Sequence, residues 1–522
     1  DYPDGEEVYR RFARQSVLSH QQILDAMANT GTFLEVERYQ NPCFTKNVKC
    51  PTLYPDLSVE GRMGKYRELV WSAWEQYKRE IPPARHTRYE EEIKKEIEIV
   101  ERTNMADYFL LDHEVVRRGV QNGGIITTTG RGSGVSFLTN MLLAFTKVDR
   151  LAAPVRMYPE RFMSPTRILE AKTLPDLDLN LGTVEPFARA QKEVLGEEHS
   201  YPMLAYGTNK VSSAWKLYAK SQGVDFVTAN AVSEQIRRYE TAKKHADESE
   251  KDSISVLDYI EPRFHSIYQK SSSLRGVVSS WSVAPCSYLL YEGNIRREIG
   301  LVRIKDHLCC LMDGHWAEDY KFLKNDLLRV AVVELIDRIY KRIGVPKHSV
   351  SELLALTEGD DSTWEIYRRG CTLGINQVEQ PGTSHRAAQY APRNISELCA
   401  FVAAIRPGFQ SMYRIFEQRK PFSYHIPSLD RLIQTPEMPN SFILYQEMAM
   451  AVLHYAGIPM SECYEIIKNI AKKRAEKVLS YRERFLSGFA RAVSERELRP
   501  EEEAKETAER VRKILEDSSA YS

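Results

Sequence analysis

The stretch Leu174-Pro175-Asp176-Leu177-Asp178-Leu179-Asn180-Leu181 constrains this chain more than any other. Leucine alternates with a polar residue, and a period of two is the pattern of a strand with one apolar and one polar face. The polar face carries two carboxylates, Asp176 and Asp178, about 6–7 Å apart along the chain. Like charges side by side repel. A divalent cation between them removes that repulsion. Carboxylate oxygens suit Mg²⁺, which keeps some waters and binds substrate phosphates. A lone Asp-x-Asp is more often a solvated strand face, so the surrounding sequence has to decide.

That surrounding begins upstream. "GGIITTTGRGSGVSFLTNMLLAF" (123–145) has a β-branched run, then glycines with a serine, then an apolar helix-like run. Backbone N–H groups at a glycine-rich turn entering a helix can cradle phosphate oxygens. Arg131, Gly132 and Ser133 are the candidate phosphate contacts, through charge, backbone and hydroxyl respectively. No Gly-Lys-Ser/Thr follows, so this is not a Walker motif. A phosphate cradle followed by a carboxylate pair fits nucleotidyl transfer.

Helical rhythm dominates residues 1–50, with Ser19 a plausible N-cap, and residues 58–105, a charged segment expected to be a solvated amphipathic helix. Strand-like composition occupies about 120–206 and 276–335, with a polar helical insertion between, and helical rhythm returns from about 346. The expected fold class is therefore α/β plus α. The chain has 522 residues, 43% hydrophobic and 28% charged, with 72 acids balancing 72 bases. Zero net charge neither requires nor excludes nucleic acid, since local patches decide. Eight scattered cysteines without a Cys-x-x-Cys pair favour a reducing compartment and argue against structural zinc. The sequence holds no run of 18 apolar residues, so no membrane partner is expected. It opens on aspartate, as a piece of a longer protein would.

In order and spacing, "TTGRGSGVSFLTNMLLAFTKVD", "PERFMSP" and "LPDLDLNL" resemble the palm of the C-family bacterial replicative DNA polymerases, the catalytic alpha subunits of DNA polymerase III. "LGEEHSYPMLAYGTNKVSSAWKLYAK" is similar to the passage from palm into thumb. "GINQVEQPGTSHRAAQYAPRNISELCAFVAAIRPGFQSMYRIFEQRK" and "SFILYQEMAMAVLHYAGIP" with the lysine-rich helix after it resemble the fingers. The resemblance covers most of residues 50–520. Asn180, where some members carry a third aspartate, is closer to the Gram-positive or a phage-encoded type.

The resemblance implies a polymerase-beta-like nucleotidyltransferase palm with a mixed sheet, a helical thumb insertion and helical fingers. The implied layout is 1–50 as a linker, the tail of a missing phosphoesterase domain. Residues 51–206 are palm, 207–275 thumb, 276–345 palm again, and 346–522 incomplete fingers. It implies a third palm carboxylate, for which "FLKNDLLRV" supplies Asp326; Asp313 and Asp319 are fallbacks. Locally, Asp326 could equally be the N-cap of the helix in "LLRVAVVELIDRIYKRIG". The implied reaction is attack of a primer 3′-hydroxyl on the α-phosphate of a dNTP, with two Mg²⁺ ions held by Asp176, Asp178 and Asp326. Arg406, Lys468 and Lys472 are expected near the triphosphate, and Lys210 and Lys216 on primer–template phosphates. Lys473, Lys477, Arg414, Arg419 and Lys420 are further basic residues, while Tyr445, Gln446 and Glu447 could equally be core and cap residues. Sliding-clamp and other replisome contacts would lie in regions absent here, and the expected location is the cytoplasm of a bacterium or phage-infected host. The competing expectations are a non-catalytic DNA-binding or scaffolding fragment of polymerase shape, and a nucleotidyltransferase acting on RNA or a small molecule.

Overall fold

The computed structural model describes residues 3–35, 44–127, 130–245, 253–471 and 475–519. The chain divides into two units, residues 1–46 and 47–522. The first contains helices Gly5–Gln15 and His20–Asn29; Ser19 caps the second, its hydroxyl accepting from Gln22 N while the Gln22 side chain accepts from Ser19 N.

The second unit is built on one mixed sheet of six strands: β1 (Asp178–Leu181), β2 (Ser200–Thr208), β3 (Val278–Leu290), β4 (Leu301–Ile304), β5 (His307–Cys310) and β6 (Leu323–Arg329). Their order is β1-β6-β3-β2-β5-β4. β1 and β6 run parallel, and their register sets Asp178 opposite Asp326. β6 runs antiparallel to β3, which puts Ser287 beside Asp326. The alternation that marked the opening stretch is realised: Leu177, Leu179 and Leu181 are buried while Asp178 and Asn180 face partly outward.

Helices Val59–Tyr77, His86–Thr103 and Ala106–Gln121 supply the core beneath the sheet, where Tyr66, Trp74, Tyr89, Ile93, Phe109 and Leu111 join Leu179, Leu181 and Leu327. The charged helix His86–Thr103 is not the solvated helix its composition suggests. Glu96 is fully buried, accepts from the N–H groups of Leu138 and Thr139 at 2.8 Å each, and pairs with buried Arg150. A distant carboxylate thus caps the short helix Leu138–Leu142 that follows the glycine turn, satisfying donors that the helix leaves open.

Residues 207–275 form helices Val211–Ser221, Phe226–His245 and His265–Ser271 around their own core of Trp215, Val232, Ile236, Phe264 and Tyr268. Beyond 346 every regular element among the described residues is helical. The architecture is α/β plus α, as the sequence predicts. No disulfide joins the described cysteines, and no described helix is long and apolar enough to cross a membrane.

Candidate active site

Three carboxylates converge at the edge of β1 and β6: Asp176, Asp178 and Asp326 each place an oxygen within 4.8 Å of the others. The strand grammar explains two of them, since i and i+2 share a face. The parallel register supplies the third. Asp326 lies inside a strand and caps no helix; the following helix Ala331–Ile343 begins after Val330. The fallbacks lie elsewhere. Asp313 caps helix Gly314–Asp319 by accepting from Trp316 N, and Asp319 ends that helix.

Packing three acids together raises the free energy of ionising them. Asp176 is pushed up to about 6, chiefly by burial and then by Asp326 and Asp178, with Lys324 opposing. Asp178 is raised by burial, against the pull of Arg131. Lys324, two residues before Asp326 on the same strand face, reaches both sides of the cluster: its ammonium lies 2.5 Å from Asp326 Oδ2 and 3.6 Å from Asp176 Oδ2. A protein cation therefore sits among the carboxylates, where their oxygens would take a divalent ion. Ser287 donates to Asp326 Oδ1 at 2.6 Å, while Oδ2 takes Lys324. A hard oxygen donor set with a cation already drawn into it fits a divalent metal ion.

The glycine turn closes the other side. Gly132 has φ +65°, a conformation that L residues with side chains adopt at a cost. A Cβ on it would lie 1.9 Å from Asp178 Oδ2, so glycine is what lets this backbone pass over the carboxylate. Ser133 opens a 3₁₀ turn, Ser133–Ser136, and the helix behind spans only Leu138–Leu142. The expected helix N-terminus is thus a tight turn with little dipole to offer. Arg131 is exposed, and its charge is felt by Asp178.

Arg161, from "PERF", ties this turn to the helical region. It donates to Gly132 O at 3.3 Å and Ser136 Oγ at 3.4 Å, and to Gln446 Oε1 at 2.9 Å, and it pairs with Glu447 Oε1 at 2.8 Å. Gln446 and buried Glu447 open helix Gln446–Tyr455, so they are neither plain core nor plain cap. Arg167, six residues on, is also buried; it donates to Phe162 O at 2.6 Å and lies over the Tyr464 ring. Lys468 also stands over that ring, 5.8 Å from its centre, on helix Met460–Ala471.

Lys472 and Lys473 lie outside the described residues. Arg406 is exposed ahead of the 3₁₀ turn Pro407–Phe409, Lys210 is exposed ahead of helix Val211–Ser221, and Lys216 is half-buried on that helix. No described contact joins these three to the carboxylates. Sequence reasoning did not single out Lys324, Ser287 or Arg161. Lys324 had a usable signature, two positions from Asp326 on a strand; Arg161 had none, because Gln446, its partner across the fold, is 285 residues away.

A family model described as the bacterial DNA polymerase III alpha NTPase domain matches residues 67–329, and one for the alpha subunit finger domain matches 332–492. The chain belongs to the bacterial DNA polymerase III alpha family. It is 24% identical to the DNA polymerase III subunit alpha of Chlamydia trachomatis over 482 residues, 90% of this chain and 37% of that protein. It is 25% identical to the Bacillus subtilis subunit over 424 residues, 77% of this chain and 36% of that protein. The chain thus spans less than two fifths of the length of these relatives.

Proposed function

We propose that this chain carries the catalytic centre of a template-directed, replicative DNA polymerase. It would add deoxynucleotides from dNTPs to a primer 3′-hydroxyl on primer–template DNA. The convergence of Asp176, Asp178 and Asp326 within 4.8 Å is the observation that supports this most. These three residues would hold two Mg²⁺ ions through their carboxylate oxygens. Bound there, the ions would lower the pKa of the primer hydroxyl and offset charge developing at the α-phosphate. Lys324 offsets the charge of Asp326 and Asp176 and would have to leave them where a divalent ion binds. Ser287 orients Asp326, and Gly132 leaves the space in which the Asp178 carboxylate stands. Arg131 and the Gly132–Ser133 backbone would meet the triphosphate. Arg161 holds that turn to helix Gln446–Tyr455, which couples the triphosphate pocket to the fingers.

On this reading residues 51–206 and 276–345 are a nucleotidyltransferase palm of the polymerase-beta type, 207–275 the thumb and 346–522 the fingers, with 1–50 a linker. Arg406, Lys468 and Lys472 would approach the triphosphate from the fingers. Lys210 and Lys216 would contact DNA phosphates, so their binding contribution should fall with salt whatever the sequence.

Extension of a primed DNA template by the purified protein, with Mg²⁺ and either dNTPs or NTPs, tests the proposal. Extension with dNTPs that disappears in Asp178→Asn supports it. Binding of primer–template without any turnover would instead favour a scaffolding role, and a preference for NTPs would favour a different nucleotidyltransferase.

A further inference from the structure

Directly behind the carboxylate cluster lies a fourth acid that the proposed reaction does not use. Asp112, on helix Ala106–Gln121, is 2% exposed. Its Oδ1 accepts from Asn325 Nδ2 at 3.1 Å, and Asn325 is itself 4% exposed. Asn325 stands between Lys324 and Asp326 on β6. Side chains alternate along a strand, so Asn325 points into the core while its two neighbours point into the site.

A buried carboxyl is an expensive way to fill core volume. Burial, and the charge of Asp176, push Asp112 up to about 7, with a hydrogen bond from Tyr108 opposing. Leucine or valine would pack there without that penalty. What an apolar pair cannot supply is direction. A hydrogen bond gripping Asn325 from behind resists rotation of β6 about its own axis. That rotation is the motion that would carry Lys324 and Asp326 away from Asp176 and Asp178. We propose that Asp112 and Asn325 are a positioning pair that holds the Lys324–Asp326 face of β6 in register with the other two carboxylates. The proposal rests on the reading of those carboxylates as a divalent-metal site.

Mn²⁺ binding, followed by electron paramagnetic resonance, tests the pair without requiring turnover, so a failure of polymerase activity would not be mistaken for a failure here. Wild type, Asp326→Asn, Asp112→Asn, Asp112→Leu and the double variant Asp112→Leu/Asn325→Leu are compared, each with its melting temperature measured without metal. Residues that orient metal ligands typically contribute 10–100-fold to affinity. Asp112→Leu should weaken Mn²⁺ binding about tenfold or more, while Asp112→Asn, which keeps an acceptor for Asn325, stays within about twofold. Should Asp112→Leu fail to fold, the double variant answers the question, because removing both partners strands no amide and leaves only the Tyr108 hydroxyl without its acceptor. It should fold and still bind Mn²⁺ about tenfold more weakly. Wild-type Mn²⁺ affinity in the folded leucine variants, with only the melting temperature changed, would overturn the proposal. So would equal weakening in Asp112→Asn and Asp112→Leu.

Discussion

Replacing Gly132 by alanine separates the backbone's demand for glycine from the site's demand. Two costs arise. The first is conformational: at φ +65° and ψ −155°, a region essentially reserved to glycine, a residue with a Cβ is disfavoured by about 1–3 kcal/mol. The second is steric, and it falls on the site. The new Cβ would stand 1.9 Å from Asp178 Oδ2, and real Cβ atoms do not come within 3.0 Å of a neighbour, so the carboxylate has to retreat by about 1.1 Å. A carboxylate at the end of a side chain can move that far without unfolding anything. A displacement of about 1 Å at a catalytic centre nevertheless costs on the order of a hundredfold in rate. Gly123 provides the control: its φ is +86°, and a Cβ there meets nothing within 4 Å. Gly123→Ala and Gly132→Ala should therefore both lose stability, of order 1–3 kcal/mol in urea unfolding. Only Gly132→Ala should lose primer extension, by about a hundredfold, and weaken Mn²⁺ binding. Equal activity in the two variants would refute the claim that Gly132 is there to make room for Asp178.

Three further outcomes follow from the electrostatics. Lys324→Met removes the cation that neutralises Asp176 and Asp326, so the metal-free protein should melt lower than wild type while Mn²⁺ raises its melting temperature by a larger increment. An unchanged increment would mean that Lys324 does not compete for the site. Burial pushes Asp112 up to about 7 in the fold against 3.8 unfolded, so the folded state holds its proton more tightly. Stability from this group is then greatest at acid pH and declines as pH rises from about 4 to 7, by up to about 4 kcal/mol. Asp112→Asn should flatten that slope in urea titrations across this range. Glu397 behaves oppositely. Despite burial, hydrogen bonds from Arg419 and Arg393 hold it down at about 2 against 4.5 unfolded. Its contribution, at most about 3 kcal/mol, is present above pH 4.5 and lost as pH falls toward 2. Glu397→Gln should accordingly destabilise the protein at neutral pH but hardly at pH 2.

Much of the geometry of the three carboxylates was legible because they lie on or beside strands. A period of two in residues 176–181 fixes which side chains share a face, and that was enough to pair Asp176 with Asp178. Asp326 was harder. Followed by apolar residues and a helix, it satisfies the local pattern of a cap as well as that of a strand, and only the parallel pairing of β1 with β6 decides. The glycine turn was legible as a turn, but the length of the helix behind it was not. That helix is capped by Glu96 from another element, a contact no local window contains. Arg161 escaped for the same reason. Asp112 escaped for a different one: one acid in an otherwise apolar helix face looks like surface until the strand behind it is placed. The basic residues of 468–477 are legible only as a charged helix, whose composition serves a solvated face and a phosphate-facing one alike.

The central claim is that Asp176, Asp178 and Asp326 form one divalent-metal site. Hydroxyl-radical cleavage from bound Fe²⁺ reads this directly, because the chain is cut only where it passes beside the ion. With ascorbate and peroxide, cuts should appear next to residues 176–178 and next to 326. Excess Mg²⁺ should suppress both cuts, and Asp178→Asn should abolish both together. Cleavage at one of these segments without the other, or cuts unaffected by Mg²⁺, would contradict the account.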